Sequence, residues 1–306
     1  MLHAIIDLGT NTFNLLIIEV GIAKPYKIVF HDKASVKLGQ DCIDKNLLSD
    51  VAIERALNGL KHHLSSIKKY NVTSIRAVAT SAIRSAHNKT FFLQKVKDEL
   101  GLEIEIISGD TEAELIYHGV KQAVDLGEGK NLIMDIGGGS TEFIIADKST
   151  IFWKHSFNLG ISRLIEKFKP KNPILQEEII AIENYLLDEL KPLFEASQKF
   201  KFTTLIGSSG SFDTLADMIL YRSTSNFLPL EATTYNFDLA KYYDLHVELL
   251  QSTYEQRLAM KGMLNMRADM IVVGSIFVHL VLNKLRLSEM KLSTYALKEG
   301  LALQYC

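Results

Sequence analysis

The same arrangement of apolar and polar positions occurs twice along this chain. Residues 2 to 20 read LHAIIDLGTNTFNLLIIEV, and residues 130 to 146 read KNLIMDIGGGSTEFIIA. Each is an apolar run, an aspartate, a turn of glycine and small polar residues, and a second apolar run. This pattern is typical of a β-hairpin that carries a carboxylate near its tip. The sequence therefore predicts two hairpins, one in each half of the chain.

The first half continues with alternating strand patterns and one clear amphipathic helix. Residues 26 to 39 predict a third strand, and Ser49 precedes a helix whose apolar positions keep helical spacing. The stretch SIRAVAT predicts a strand, SAIRSAHN a loop, residues 90 to 100 a helix and EIEIIS a strand, with a further helix after it. The order β-β-β-α-β-α-β-α is that of a ribonuclease-H-like domain.

The second half repeats this plan with longer helical stretches. After its hairpin, the patterns predict a strand IFWKHSF, one long helix over 173 to 198 with a kink at Pro192, a strand FTTLIG, helices near 211 to 219, 238 to 250 and 267 to 285, a strand MKLSTY and a helix ALKEGLALQY. We expect an α/β protein of two ribonuclease-H-like domains, residues 1–125 and 126–295, with a ligand-binding cleft between them.

The hairpin tips carry the groups that bind phosphate and magnesium in other proteins. Glycines allow close approach of the backbone to an anion, and hydroxyl and amide N–H groups donate to phosphate oxygens. Two such tips facing each other would form a phosphate clamp. Asp7, Asp135 and Glu142 are hard oxygen ligands that suit Mg²⁺, although a turn aspartate and a solvated glutamate have ordinary structural explanations. The tip residues are Asp7, Gly9, Thr10, Asn11 and Thr12 in the first hairpin, and Asp135, Gly137, Gly138, Gly139, Ser140 and Thr141 in the second.

A third polar stretch, SGDTEAELIYHGV, places a glutamate at the start of a helix. Thr111 and Glu114 have the spacing of a capping box, which would put Glu112 in the first helical turn. There a carboxylate interacts favourably with the helix dipole, so a purely local role is the alternative to a chemical one.

Two further stretches combine small residues with donors. TSAIRSAHN contains Arg84, whose guanidinium matches a phosphate in two-point geometry, while a surface ion pair is the ordinary alternative. LIGSSGSFDTLA predicts a strand, a turn at Gly207–Ser211 and a helix. Backbone donors of Gly210 and Ser211 at that helix start suit an anion, but such turns are also common connectors.

Composition narrows the functional classes. A net charge of −2 does not favour nucleic acid, and the lysines near 167–171 and 199–201 are expected to form a solvated face. No apolar run spans a bilayer and no leader precedes the first strand, so we expect a cytoplasmic protein.

The cysteines and histidines do not indicate a disulfide or zinc framework. With only two cysteines, Cys42 and Cys306, a disulfide framework is not expected. The nine histidines lack HExxH or HxH spacing, and the pair His62 and His63 lies on an ordinary helix, which argues against zinc.

These stretches, in this order, resemble the exopolyphosphatase and guanosine pentaphosphate phosphohydrolase family, a branch of the actin, Hsp70 and sugar-kinase superfamily. The resemblance covers nearly the whole chain. Its matching phrases are IIDLGTNTFNLLI, VATSAIRSAHN, IISGDTEAELIYHGV, LIMDIGGGSTEFII, GSSGS, RADMIVVGSIF and STYALKEGLAL. It implies two ribonuclease-H-like (actin-like ATPase) domains, with the final helix, residues 296–306, returning to the first.

The resemblance also assigns roles to individual residues. It implies that Glu112 orients or deprotonates an attacking water, and that Asp135 and Glu142, with Asp7, lie beside Mg²⁺. Phosphates would be held by Thr10, Asn11, Arg84, Gly138, Gly139, Ser140, Gly210 and Ser211.

Three positions depart from the family pattern. Thr111 stands where an acidic residue is usual, GSSGS replaces a Gly-Gly-Thr turn, and Lys298 replaces a common arginine. The missing acidic group at Thr111 would alter metal affinity or base strength. Longer members also carry further C-terminal helical domains that this chain does not contain, which implies less processive action on long polyphosphate.

The resulting hypothesis is a Mg²⁺-dependent phosphoanhydride hydrolase that acts on inorganic polyphosphate or guanosine pentaphosphate. Two alternatives stay open: an ATP-dependent kinase or ATPase of the same superfamily, and a non-catalytic sensor that binds an alarmone. The sequence does not separate the two substrates, implies no nucleic-acid or membrane partner, and leaves a homodimer open.

Overall fold

The chain divides into two compact units. In a computed structural model that describes residues 1–21, 25–40, 43, 45–229 and 231–306, unit 1 comprises Met1–Gly119 and Leu297–Cys306, and unit 2 comprises Val120–Ala296. Cys42, considered above, lies outside the described residues. Within those ranges, every helix is too short or too polar to span a bilayer.

Unit 1 is a five-stranded mixed sheet with helices. Its sheet order is β3-β2-β1-β4-β5, in which β1–β2 and β2–β3 are antiparallel while β1–β4 and β4–β5 are parallel. This confirms the predicted mixed α/β order. The elements are β1 Leu2–Leu8, β2 Thr12–Glu19, β3 Lys27–Ser35, α1 Asp50–Ile67, β4 Ser74–Ala79, α2 Ser81–Ser85, α3 Lys89–Leu100, β5 Ile104–Ile106, α4 Gly109–Ala123, which runs past the unit boundary, and α12 Leu297–Ala302, which a 3₁₀ turn Leu303–Tyr305 follows.

The residues of α1 show why this helix forms and where it packs. Ser49 caps it, because its hydroxyl accepts a hydrogen bond from the Ala52 N–H at 3.2 Å. The apolar positions predicted from spacing, among them Ile53 and Leu57, are buried against the sheet. Each fully buried aliphatic side chain of this kind contributes roughly 1.5–3 kcal/mol.

One short segment differs from the sequence prediction. The stretch SAIRSAHN was expected to be a loop, but residues 81–85 form the single helical turn α2. The amide of Arg84 donates to the carbonyl of Thr80 at 2.8 Å and closes that turn. A run of five residues is too short to show helical periodicity, so the prediction was wrong there.

Unit 2 repeats the sheet of unit 1. Its order β10-β11-β9-β6-β7-β8, read from β8, matches the order of unit 1 with β10 added at one edge. The elements are β6 Asn131–Ile136, β7 Thr141–Ala146, β8 Ile151–Phe157, α5 Ile161–Phe168, α6 Gln176–Glu189, α7 Lys191–Ser197, β9 Thr204–Ser208, α8 Gly210–Thr224, β10 Thr234–Asn236, α9 Leu239–Gln251, α10 Tyr254–Ala259, a 3₁₀ turn Asn265–Arg267, α11 Ile271–Lys284 and β11 Glu289–Ser293.

The helices of unit 2 correct two predicted boundaries. The single helix expected over 173–198 is two helices, α6 and α7, which meet at Leu190 with Pro192 in the first turn of α7. Proline lacks the N–H that a helix interior needs but fits a first turn, so it restarts the helix instead of kinking it. The helix expected from 267 begins at Ile271, after a 3₁₀ turn. Most of α11 is buried in the core of unit 2, as expected for a core helix.

Candidate active site

The predicted site residues of unit 1 meet at one edge of its sheet. Strands β1, β4 and β5 are parallel neighbours, with Leu8 beside Ala79 and Ala79 beside Ile106. Their carboxyl ends therefore lie at the same edge, where ligands bind in many α/β proteins. The first hairpin tip follows β1, the Arg84 segment follows β4, and the start of α4 follows β5. Three phrases that are far apart in the sequence converge there.

The first hairpin tip is a tight turn with buried polar residues. The Gly9 amide donates to the Thr12 carbonyl at 3.2 Å, and a Cβ at Gly9 would lie only 2.9 Å from that oxygen. Thr10, Asn11 and Thr12 are buried, and the Thr12 hydroxyl has no hydrogen-bond partner among the described residues. The Asp7 carboxylate accepts a hydrogen bond from Asn14 Nδ2 at 2.9 Å.

Arg84 and Glu112 are in direct contact. Nη1 of Arg84 lies 2.7 Å from Oε2 of Glu112 and also donates to the carbonyl of Ile107 at 3.2 Å. Glu112 is only 6% exposed, and its carboxylate accepts a charge-assisted hydrogen bond in a site that is largely shielded from solvent. The hydroxyl of Ser81, three residues before Arg84, is buried and has no partner among the described residues. The structure thus joins the candidate catalytic group to a candidate phosphate ligand.

The start of α4 differs from the predicted capping box. The helix begins at Gly109, and the Ser108 hydroxyl accepts from the Thr111 amide at 3.1 Å, while the Glu112 amide donates to the Ser108 carbonyl at 2.9 Å. Ser108 caps the helix, not Thr111. Glu112 still lies in the first turn, so its position was predicted although the capping residue was not.

Asn88, the last residue of the stretch TSAIRSAHN, has a structural role. Its side-chain amide accepts from the Leu48 N–H at 3.0 Å and donates to the Leu48 carbonyl at 2.8 Å. This two-way clamp ties the start of α3 to the segment before α1. We therefore do not count Asn88 among the candidate ligands.

In unit 2, Asp135 is held by two serines at the end of the neighbouring strand, Ser208 in β9 and Ser209 directly after it. The Ser208 hydroxyl donates to Oδ2 at 2.6 Å, and the Ser209 hydroxyl lies 2.9 Å from both carboxylate oxygens. Strands β6 and β9 are parallel with Asp135 beside Ser208, so this contact follows from the sheet register. Asp135 is 6% exposed. The serines fix the orientation of a buried carboxylate.

Glu142 stands directly opposite Asp135 on strand β7. It is buried, and its Oε1 accepts a hydrogen bond from the Ser156 hydroxyl at 2.6 Å. Residues opposite each other on neighbouring antiparallel strands point to the same face of the sheet. Two oriented carboxylates are therefore placed side by side next to the tip of the second hairpin.

The second hairpin tip repeats the first and is braced by α5. The Gly137 amide donates to the Ser140 carbonyl at 3.0 Å, and a Cβ at Gly137 would lie 2.9 Å from that oxygen, as at Gly9. The carbonyls of Gly137, Gly138 and Gly139 accept hydrogen bonds at 2.9–3.0 Å. Their donors are the Ile161 amide, the Ser162 amide and Nε of Arg163, respectively. With the carbonyls held from one side, the conformation of the tip is fixed. Thr141 has a local role, because its hydroxyl donates to the Leu159 carbonyl at 3.0 Å.

The turn into α8 brings an arginine to the site that sequence reasoning missed. Ser209 has φ +71°, and a Cβ on Gly210 would collide with the guanidinium of Arg267. Nε of Arg267 is buried and has no hydrogen-bond partner within the described residues. Burial lowers the pKa of Arg267, while Asp213 and Asp269 act in the opposite direction. The phrase RADMIVVGSIF contains this residue, but spacing along the chain does not show that it packs on Gly210.

The chain is similar to known proteins over most of its length. A family model described as the Ppx/GppA phosphatase family matches residues 16–305. A bifunctional 3-dehydroquinate synthase/phosphatase of Fusobacterium nucleatum is 35% identical over 92% of this chain and 43% of its own length. A guanosine-5'-triphosphate,3'-diphosphate pyrophosphatase of Photobacterium profundum is 27% identical over 99% of this chain and 59% of its own. The chain thus spans about half the length of the curated relatives it matches.

Solved structures match over the whole chain. The crystal structure of an exopolyphosphatase from Cytophaga hutchinsonii has a TM-score of 0.96 and 38% identity, and the match covers 100% of this chain and 97% of that one. A Ppx/GppA family member from Aquifex aeolicus has a TM-score of 0.80 and 26% identity, with 100% and 97% covered.

Proposed function

This chain belongs to the Ppx/GppA phosphatase family, and from that premise we propose that it hydrolyses the terminal phosphoanhydride bond of inorganic polyphosphate or of guanosine pentaphosphate. The observation that carries the proposal is the 2.7 Å contact between Arg84 and Glu112. It couples a buried carboxylate to a guanidinium at the sheet edge where ligands are expected. A solved exopolyphosphatase with a TM-score of 0.96 supports the same reaction class.

Glu112 is assigned the activation of water. The water oxygen forms a bond to the terminal phosphorus, the bridging P–O bond breaks, and the water proton passes to the carboxylate of Glu112. The shortened chain leaves with the electron pair of the broken bond. Proton transfer to a positioned base typically contributes ~10²–10⁴-fold in rate. Arg84 keeps the Glu112 oxygen oriented, and its remaining N–H groups are assigned to phosphate oxygens.

Other donors are assigned to the phosphates that do not react. In unit 1 these are the backbone and side chains of Thr10 and Asn11, together with the buried hydroxyls of Thr12 and Ser81. A buried hydroxyl without a partner costs about 1–3 kcal/mol, which a bound phosphate oxygen would recover. In unit 2 they are Gly138, Gly139, Ser140, Gly210 and Ser211, with Arg267 added from the structure.

The carboxylates of unit 2 fit a magnesium ion. Asp135 and Glu142 supply hard oxygen ligands on one face, and serine hydroxyls orient both of them. Mg²⁺ in phosphoryl-transfer proteins binds one or two carboxylates and completes its shell with water and phosphate oxygens. When bound, it supplies neutralising charge to the phosphates. Asp7 fits less well, because its register partner is the amide Asn14, and we assign it a supporting role.

The test is phosphate release by the purified chain with Mg²⁺, using long-chain polyphosphate, guanosine pentaphosphate and ATP in parallel. Glu112→Gln keeps the shape of the side chain and removes the base, so we expect release to fall by at least 100-fold. Glu114→Gln is the matched control, since Glu114 is exposed on the same helix two residues away. Its turnover should equal that of the unmodified chain.

The three substrates also separate the alternatives. Release from polyphosphate or pentaphosphate that is lost in Glu112→Gln supports the proposal and names the substrate. Turnover of ATP alone would favour the kinase or ATPase alternative. Tight binding of pentaphosphate without any release would favour a sensor.

A further inference from the structure

A histidine pair on α1 and an aspartate on β3 form a second polar cluster in unit 1. Nε2 of His62 lies 2.7 Å from Oδ2 of Asp32, and Nδ1 of His63 lies 3.6 Å from the same oxygen. One donor atom from each residue can be chosen so that all three lie within 4.8 Å of one another. The sequence argued against zinc because the histidines lack HExxH or HxH spacing and His62 and His63 lie on an ordinary helix. The third ligand comes from a strand about 30 residues earlier, which only the fold brings close.

His63 is held in the tautomer that a metal ligand needs. It is fully buried, and its Nε2 lies 3.1 Å from the carbonyl oxygen of Phe13. A carbonyl only accepts hydrogen bonds, so Nε2 carries the proton and Nδ1 carries the lone pair. Histidines that bind metals commonly donate their second ring N–H to a backbone carbonyl in this way.

The lone pair of His63 has no protein donor in the described residues. Nδ1 is buried without a hydrogen-bond partner, and Oδ2 of Asp32, which lies 3.6 Å away, is itself an acceptor. A buried polar atom in this state is rare and calls for a cation or proton between the two acceptors. A metal ion satisfies both acceptors at once.

The rest of the cluster is suited to the same ion. The Lys33 amide donates to Oδ1 of Asp32 at 2.8 Å, which fixes the carboxylate and leaves Oδ2 toward the histidines. His62 is 60% exposed at its side chain, so the ion can enter from solvent and keep a water in its open position. Two imidazoles and one carboxylate are a ligand set typical of zinc, and tetrahedral ligand atoms lie about 3.3 Å apart. The observed 2.7 and 3.6 Å bracket that spacing.

We propose that Asp32, His62 and His63 bind one divalent transition-metal ion of the zinc class, which fastens α1 to strand β3. The ion would bind Nδ1 of His63, whose Nε2 holds the Phe13 carbonyl next to the first hairpin tip. Metal binding therefore stabilises the packing of α1 on β2 and β3. This site uses none of the groups assigned to phosphate hydrolysis, so its test is independent of that assignment.

The primary test is a zinc titration of the full chain in competition with a chromophoric chelator. Excess Mg²⁺ is present to occupy oxygen-rich sites, and both cysteines are replaced by serine in every variant so that no thiolate binds zinc. We expect one equivalent to bind tightly, and Asp32→Asn and His62→Ala to weaken that binding at least 10-fold. His62 is exposed and Asp32→Asn keeps the side-chain shape, so both variants should fold.

The matched control is His31→Ala. His31 is exposed and directly precedes Asp32 on β3, where neighbouring side chains point to opposite faces. It removes one histidine from the strand but none from the site, so zinc affinity should not change. Two results would overturn the proposal. One is an equal loss of zinc affinity in His31→Ala and His62→Ala, and the other is no tightly bound zinc in the chain that keeps Asp32, His62 and His63.

A second readout follows His63 without mutating it. Imidazole ¹⁵N spectra of the metal-free chain should show the Nε2–H tautomer at His63, and zinc should move its Nδ1 resonance. The same titration should raise the midpoint of thermal unfolding by several degrees in the chain that keeps Asp32, His62 and His63, but not in His62→Ala. A protonated Nδ1 that zinc leaves unchanged would contradict the site.

Discussion

Arg84 and Glu112 should behave as one functional unit, because a single 2.7 Å hydrogen bond joins them. Arg84 also holds the Ile107 carbonyl, so its guanidinium is fixed at two points. A lysine keeps the charge but has no planar fork with which to hold both partners. We predict that Arg84→Lys lowers kcat/KM for phosphate release about 100-fold, measured under steady-state conditions.

A double substitution distinguishes coupling from two separate effects. If Arg84 acts by orienting Glu112, the chain with both Arg84→Lys and Glu112→Gln should be scarcely slower than Glu112→Gln alone. Arg76→Lys is the control, since Arg76 binds Glu105 on the same sheet away from the predicted site. Fully additive losses, or an equal loss in Arg76→Lys, would show that the contact is only structural.

The serines beside Asp135 allow a test of the proposed magnesium site in which no proposed ligand is removed. Ser208 and Ser209 donate to the carboxylate at 2.6 and 2.9 Å. Removing such an orienting donor typically costs 10–100-fold in metal affinity. We expect Ser208→Ala to raise the Mg²⁺ concentration that gives half-maximal activity by about 10-fold or more. Ser223→Ala removes a hydroxyl that donates to the Ile219 carbonyl and accepts from Nζ of Lys241, and it should leave this Mg²⁺ concentration unchanged.

A shift in substrate KM at saturating Mg²⁺, with no change in the Mg²⁺ requirement, would contradict that reasoning. It would place Ser208 among the groups that contact phosphate. The measurement therefore tests the assignment of Asp135 as well as that of the serine.

At the residue scale, the sequence predicted positions better than partners. Glu112 was expected in a first helical turn and lies there, but the cap is Ser108 and the contact with Arg84 was not foreseen. Side-chain partners depend on strand register, as Ser208 beside Asp135 shows. The spacing of apolar residues along the chain does not reveal which residues of two distant strands lie side by side. Arg267 was missed for the same reason, since only the fold places it against Gly210.

At the element scale, long periodic stretches were predicted well and short ones were not. Helix α1 begins after Ser49 as expected, because its cap and its apolar spacing are both local signals. Strand β10 has only three residues, Thr234–Asn236, and exists because it pairs with β11. Such an element depends on a tertiary contact, so no local pattern predicts it.

Helix α12 gives a stability prediction at this scale. It belongs to unit 1, and a Cβ on Gly300 would collide with the Leu115 backbone carbonyl of α4. An exposed glycine in a helix would gain up to about 1 kcal/mol on replacement by alanine. Here the obstacle is backbone, which cannot rotate away, so we predict that Gly300→Ala lowers the free energy of unfolding by about 1–3 kcal/mol.

Urea denaturation measures this change, with Gly129→Ala as the control. Nothing lies within 4 Å of a Cβ at Gly129, so its effect should stay within about 0.5 kcal/mol. Equal or greater stability in Gly300→Ala would mean that α12 can shift along α4 without loss of packing. The helix would then contribute little to unit 1.

At the scale of the whole molecule, the two units are copies of one plan that have become chemically different. Both sheets share one strand order, and both hairpin turns close in the same way at Gly9 and Gly137. The residue opposite the hairpin aspartate differs, being the amide Asn14 in unit 1 and the carboxylate Glu142 in unit 2. The repeat was visible in the sequence, which is why the fold was predictable. In the function proposed above, the carboxylate pair of unit 2 would hold magnesium and Glu112 of unit 1 would activate water.

A stacked histidine pair in unit 2 predicts how stability depends on pH. The rings of His246 and His279 lie 4.1 Å apart, and Nδ1 of His246 is 2.6 Å from the Ser275 hydroxyl. Burial, with a smaller contribution from His279, lowers the pKa of His246 from 6.5 to about 4. In the unfolded chain His246 is protonated near pH 6.5, whereas in the folded chain it is protonated only near pH 4. The free energy of unfolding therefore falls as the pH drops from 6.5 to about 4.

The expected loss is about 2 kcal/mol once residual solvent screening is allowed for, and it should be absent above pH 6.5. Urea midpoints at neutral pH and at about pH 5 measure it. In His246→Asn the loss of stability between neutral pH and pH 5 should be smaller, because one buried histidine with a lowered pKa has been removed. The loss that remains should come from His279 and other groups. His87→Asn, at an exposed position, should keep the full fall. If His246→Asn and the unmodified chain lost stability in parallel, the acid sensitivity would have to arise outside the stacked pair, and carboxylates that titrate lower would be the next groups to replace.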